Sequence, residues 1–318
     1  MKKAWIVLLV LLCMPLTMVY AATEGTSTGT ATVGNNNPTV TLPTFTDTSS
    51  VSKVGAQIDV FTEYWVGATI GDTNQLTDIA TIDFIIWDVA TTTEGGANTN
   101  TDHYTFRYTQ ATDTWEEVGP DAAGDSHLVS ASCSDPVDQS ATSGIFKCAF
   151  KLHKTGQYAA TATWDIKVIA TDDGTASAND ATMGFGVNFY AELTVTDATH
   201  SWTSVSAGSN DNVIDGGGGS DGDIDISVTA NAAFDVQAKA GGNLVSGGNT
   251  ITIDKVTIHA TTLASSIPLT TIYADVTGLT AQTAGEAQAK AFKLWLDVPA
   301  GQAPGEYTYT LSIQVVQS

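Results

Sequence analysis

The stretch WDIKVIATDDG (164–174) sets apolar residues at Trp164, Ile166, Val168 and Ala170, with Asp165 and Lys167 between them. A period of two sends successive side chains to opposite faces of a β-strand and cannot lay an apolar stripe along a helix. The turn formers Asp172-Asp173-Gly174 then close the strand. The same pattern recurs on either side. Phe146, Cys148, Phe150 and Leu152 share one face, with Lys147 and Lys151 on the other. Phe185, Val187, Phe189, Ala191, Leu193 and Val195 read as one long strand. Ile224, Ile226 and Val228 alternate with Asp223 and Asp225. Phe292, Leu294, Leu296 and Val298 are followed, after a turn-forming loop at 299–305, by Tyr307, Tyr309, Leu311, Ile313 and Val315.

The strand at 81–89 differs, because Phe84, Ile85, Ile86 and Trp87 are consecutive and both faces are apolar. Such a strand is central in its sheet or carries a bulge. Two stretches, 281–290 and 121–127, are expected to form short helical turns. The fold class predicted is all-β, built as two tandem antiparallel sandwiches whose inner faces pack against each other.

The N-terminus begins with Lys2 and Lys3, continues with an almost wholly apolar run at 4–19 and ends in small residues at Ala21 and Ala22. This is the pattern of a secretory signal peptide, residues 1–22, which predicts a secreted or cell-surface protein. A polar tail, 23–37, comes next. The sandwiches are expected at 38–182 and 183–318, with the boundary in the small, polar stretch 176–184. No later apolar run is long enough to span a bilayer, so the mature chain is expected to be released or held at the surface by assembly.

The chain has 318 residues, 12 Lys and Arg against 34 Asp and Glu, and a net charge of −22. Loss of Lys2 and Lys3 with the leader makes it −24. A surface this acidic repels nucleic acid and anionic lipid. Charged residues are only 14% of the chain, so Thr, Ser, Asn and Gly must supply much of the exterior.

Three cysteines are present, and Cys13 leaves with the leader. Cys133 and Cys148, 15 positions apart, are expected to form a structural disulfide in an oxidising compartment. Two thiols alone make neither a zinc site nor a CxxC. A loop of that length would stabilise by about 3 kcal/mol.

At WDIKVIATDDG (164–174) the chain resembles the last strand of immunoglobulin-like surface domains of the PKD and cadherin-like kind. Residues 292–316, with Trp295-Leu296-Asp297-Val298-Pro299 and Pro304-Gly305-Glu306-Tyr307-Thr308, resemble the final hairpin of sandwich domains in secreted archaeal and bacterial surface proteins. The resemblance covers about a third of the chain. It implies two immunoglobulin-like sandwiches and an extracellular, non-catalytic scaffold or adhesive role. The Trp-x-Phe-Gly-Asp-Gly of PKD domains is absent.

Acidic clusters offer oxygen ligands for calcium. Asp172 and Asp173 form one, and Asp211, Asp215 and Asp221 in the loop 210–221 another. The two are expected to meet across the domain junction. Their spacing matches neither an EF-hand nor a glycine-rich nonapeptide repeat. His103, His127, His153, His200 and His259 show no metal-ligand spacing and are expected at the surface or on edge strands. No nucleophile elbow or phosphate-binding loop occurs, so the chain is not expected to be an enzyme. Tyr104, Phe106 and Tyr108 share a strand face and are expected in the core, a sugar platform being the other use of such a row. An exported subunit can also polymerise by lending an N-terminal strand to an open sheet edge. Residues 28–33, with 38–45, are the candidate donor. The expected function is therefore structural or adhesive, with itself or other surface proteins as partners. A polysaccharide- or calcium-binding module is the alternative, and a secreted hydrolase the third.

Overall fold

Most of the apolar rows read from the sequence are buried rows of the structure; those at 189–195 and 307–315 are only partly covered. A computed structural model describes residues 30, 34–118, 127–181, 184–197, 199–215 and 222–318. The signal peptide, most of the tail, the 121–126 part of the second expected helical turn and Asp221 lie outside these residues. Among the described residues the protein is all-β, and no helix is long and apolar enough to cross a membrane.

Trp164, Ile166, Val168 and Ala170 are fully buried on strand Ala159–Asp172. That strand pairs with Ile79–Asp88, which carries the doubly apolar stretch. On its other side Ile79–Asp88 pairs with His103–Thr109, so it is central, and its register also shifts between Ile79 and Thr81. The sheet runs Gln57–Ile58, Phe185–Val187, Ala159–Asp172, Ile79–Asp88, His103–Thr109, Thr114–Glu117, and Ser177–Ala181 returns along Ala159–Asp172. Facing it is the sheet Thr39–Asp47, Tyr64–Gly71, Ser143–Phe150. Phe146, Cys148 and Phe150 from the small sheet pack with Phe84, Phe106 and Trp164 from the large one in a single core. Tyr104, Phe106 and Tyr108 are core residues, not a platform.

Pro43 sits where Thr39–Asp47 breaks register between Thr41 and Thr44, on an edge strand. A residue without an N–H is tolerated there. Residues 39–45, expected as part of a donated strand, are thus already paired within their own sheet.

The second core lies between Ala191–Val195, Ile224–Ala230, Gly285–Leu296, Val256–His259, Ile267–Pro268 on one side and Ala274–Asp275, Phe234–Ala240, Leu311–Gln317 on the other. The expected helical turn at 281–290 is instead largely strand, since Gly285–Leu296 pairs with Ile224–Ala230. Cross-strand pairing overrides the helix preference of Ala, Glu and Gln. Ala287, at φ 47°, marks the irregular entry, where its N–H donates to Thr229 Oγ1.

The expected long strand at 185–195 is two strands. Phe185–Val187 belongs to the first core and Ala191–Val195 to the second, so the chain crosses at 188–190 and not at 176–184. The crossing is polar. Asn231 is 0% exposed in the turn after Ile224–Ala230. Its Nδ2 donates to the carbonyls of Gly156 (3.1 Å) and Asn188 (2.9 Å), and its Oδ1 accepts the Tyr190 N–H (2.8 Å). Its own carbonyl accepts the Tyr158 N–H at 3.1 Å. Lys154 and Glu192 add an ion pair at 2.7 Å. One amide therefore fixes three backbone segments at once.

Asn231→Ala leaves the Gly156 and Asn188 carbonyls and the Tyr190 N–H without this partner. Buried orphans each cost about 1–3 kcal/mol, so urea unfolding should show a loss of about 3 kcal/mol.

Candidate functional site

Tyr307, Tyr309, Leu311, Ile313 and Val315 alternate as an inward row should, and all pack on the second core. Yet every residue from Leu311 to Val316 is only half-buried. The reason is topological. Leu311–Gln317 is the edge of its sheet, pairing with Phe234–Ala240 alone, and Ala191–Val195 is the edge of the opposite sheet. A cleft of about 1010 Å³ opens between the layers beside these edges. Ile224, Leu296, Leu311 and Ile313 line it together with Trp202, Tyr307 and Tyr309, and the exposed Val195 and the acidic Asp197 and Glu306 also border it.

The cleft lies at the end of the second sandwich farthest from the first. Ala230 and Phe234 adjoin the Asn231 turn, whereas Ile224 and Leu311 occupy the opposite ends of their strands.

Three aromatic rings cluster in the lining. His200 lies 5.8 Å from Trp202 and 5.4 Å from Tyr309, centroid to centroid. His200 Nε2 and the Tyr309 hydroxyl share a hydrogen bond of 2.7 Å. Burial lowers the His200 pKa below its ordinary value and raises that of Tyr309. Both rings are therefore neutral near pH 7. The Trp202 indole N–H is buried with no acceptor among the described residues. The lining thus combines apolar side chains, a neutral hydrogen-bonded pair and an unused donor, which suits a guest with a carbonyl to offer.

The residues expected to bind calcium do not converge as expected. Asp172, buried at the end of its strand, meets Asp72 and Asp78. Asp173 is exposed beside it, its N–H donating to the Asp78 carbonyl. Asp215 accepts hydrogen bonds from the Thr203 N–H and hydroxyl. The Asp211 N–H donates to Asp297 Oδ1 at 2.8 Å. Asp172 and Asp173 stand at the far end of the first sandwich from the junction, because Ala159, not Asp172, is the strand end beside Tyr158 and Asn231.

Cys133 and Cys148 are neighbours, both free thiols in this structure. Their thiols hydrogen bond, which draws Cys133 below its usual value, while burial pushes Cys148 up. The bridge Ser134↔Lys147 holds the two segments together.

His103, His127, His153 and His259 are buried, contrary to the expected surface positions. Each ring has a hydrogen bond: His103 with Asn98, His127 with Glu117, His153 with Thr155, and His259 Nδ1 with the Thr261 and Thr262 N–H groups. Partners close in sequence give each ring at least one hydrogen bond, while His127 Nε2 is buried without one among the described residues. The sequence reading also missed Trp202 and His200 as cleft residues, since both sit in an irregular segment with no period.

No family model matches the chain, and no curated protein matches it in sequence. Among solved structures, the C-terminal domain of the AgI/II polypeptide BspA from Streptococcus agalactiae is 10% identical, with a TM-score of 0.25, over 88% of this chain and 96% of that one. The C-terminal domain of the Streptococcus pyogenes antigen I/II-family protein AspA is 11% identical, with a TM-score of 0.26, over 88% and 95%. Scores this low do not place the chains in one fold.

A base whose folded pKa is depressed supports the fold above its unfolded value of 6.5 and loses that contribution as pH falls through the folded value. Denaturant midpoints measured between pH 7.5 and 5 should therefore drop, and His200→Gln should flatten part of the slope.

Proposed function

We propose that this chain is an exported structural or adhesive cell-surface subunit of immunoglobulin-like sandwiches, and that it assembles head to tail. In this arrangement residues 23–35 of one copy enter the second-sandwich cleft of the next. The observation that carries the proposal is the half-buried row at Leu311–Gln317 over an open cleft with free sheet edges.

The chemistry of donor and acceptor agrees. An inserted strand hydrogen bonds along the free edge of Leu311–Gln317 and covers its apolar row. Its main-chain carbonyls meet the need of the Trp202 indole. Residues 26–33 alternate Thr with Ser, Gly, Ala and Val, a β-branched, uncharged segment suited to a strand.

Geometry supplies direction. The described fold begins at the outer end of the first sandwich, where Thr39 pairs with Gly71 and the Asn36 N–H donates to Asn74 Oδ1 at 2.9 Å. The cleft is at the opposite, outer end of the second sandwich. Donor root and acceptor thus lie on different surfaces at opposite ends. A contact of that kind does not close on itself by a twofold axis, and it propagates as a filament unless its rotation closes a ring.

Export is supported by the leader at 1–22 and by the adjacency of Cys133 and Cys148. In the oxidised, exported protein the pair forms a disulfide. Mass spectrometry of the secreted protein should find it two hydrogens lighter than the reduced form, with no thiol reactive to Ellman's reagent after denaturation.

The assembly is tested by deleting residues 23–36 and imaging the secreted protein. Filaments should disappear, and a peptide of residues 23–37 should bind the truncated chain but not its Ile313→Lys variant. Filaments of unchanged length and number after the deletion contradict strand donation. Binding of an array glycan, with no binding of the peptide, would instead select the polysaccharide module.

A further inference from the structure

Asp72, Asp78 and Asp172 come from three places in the sequence and meet at the outer end of the first sandwich. Asp72 follows strand Tyr64–Gly71 of the small sheet. Asp78 closes the short turn Leu76–Asp78 and leads into Ile79–Asp88 of the large sheet. Asp172 ends Ala159–Asp172. One carboxylate oxygen from each lies within 4.8 Å of the others.

Burial makes this a costly arrangement for bare anions. Asp72 is 3% exposed and Asp172 1%. Oδ1 of Asp72 accepts the Asn74 N–H at 2.7 Å, but Oδ2 is buried and has no hydrogen-bond donor among the described residues. Asp172 Oδ1 accepts the Ala176 N–H at 2.8 Å. Burial, then the charges of Asp72, Asp172 and Asp173, raise the Asp78 carboxyl above its ordinary value. Asp72, a buried carboxylate with one oxygen lacking a donor among the described residues, is gathered with two further carboxylates, an arrangement that a cation would neutralise.

We infer that Asp72, Asp78 and Asp172 bind one calcium ion that ties the two sheets of the first sandwich together at this end. All three donors are hard oxygens, which excludes the softer metals that prefer thiolate or imidazole. Ca–O distances of about 2.3–2.6 Å put two ligands of one ion as much as about 5 Å apart, so the observed spacing fits. Magnesium demands a tighter octahedron, with ligands at about 2.0–2.1 Å. Water and main-chain carbonyls complete the six to eight ligands that calcium takes. The inference does not depend on strand donation, since no cleft or tail residue enters it.

The test uses the mature full chain stripped with a chelator. Equilibrium dialysis against ⁴⁵Ca²⁺ should find one tight ion per chain, with a Kd of about 10⁻⁴–10⁻³ M, the range of extracellular modules. The melting temperature should rise by about 4 °C in about 5 mM calcium. Asp78→Asn, at a half-exposed position, should weaken binding by about tenfold or more. Without calcium it should melt no lower than the parent, because it removes a repelling charge. Asp72→Asn should abolish binding, and if that variant does not fold, Asp78→Asn decides. Asp211→Asn and Asp215→Asn should bind as the parent does. No binding at about 5 mM calcium, binding unchanged in Asp78→Asn, or tighter binding of magnesium than of calcium would overturn the assignment.

Discussion

An antiparallel sandwich is satisfied only when each sheet edge is paired or protected and each inward row is covered. That constraint organises this molecule. In the first sandwich the inward rows of both sheets interlock around Trp164, Phe84 and Phe150, and the row of Ala159–Asp172 is fully buried. In the second, the same alternation ends in a row left half-covered at Leu311–Gln317. An unpaired edge above exposed apolar surface is a site for another strand, whether wanted or not. The proposed assembly makes that edge specific by giving it one partner, a segment that every copy carries.

The two ends of the described chain have different chemistry for the same reason. The first sandwich gathers carboxylates where its strands stop, and the tail is rooted beside them through Asn36 and Asn74. The second gathers aromatic rings where its strands stop, beside the cleft. Between them stands a junction made of main-chain groups and one buried amide, Asn231. A polar junction of this kind sets orientation by hydrogen-bond geometry, and directional bonds keep the end-to-end relation of donor root and cleft constant from copy to copy.

Much of the fold was legible because strand periodicity writes burial directly into the sequence. Trp164, Ile166, Val168 and Ala170, or Phe292 and Leu294, could be placed inside from spacing alone. The two apolar faces of Ile79–Asp88 pointed to a central or a bulged strand, and it is both. The failures have physical causes. The apparent strand at 185–195 keeps its alternation through the crossing, so nothing in the pattern marks where the chain changes cores. Ala-, Glu- and Gln-rich 281–290 looked helical because local propensity is silent about the long-range pairing that holds it. The Asp72–Asp78–Asp172 cluster depends on a contact across 100 positions of sequence, which spacing cannot reveal, and the buried histidines carry no periodic signal of their own. Asp172 alone of the cluster was picked out, by the turn that follows its strand.

The central claim is that the second sandwich lacks a strand that the N-terminal segment of another copy provides. Hydrogen exchange at Leu311–Gln317, in the chain truncated before residue 37, tests it most directly. The account predicts that the amides on the free side of this strand exchange rapidly, and that a peptide of residues 23–37 slows them strongly while leaving the first sandwich unchanged. Amides already protected throughout Leu311–Gln317 without the peptide, or unaffected by saturating peptide, would contradict it.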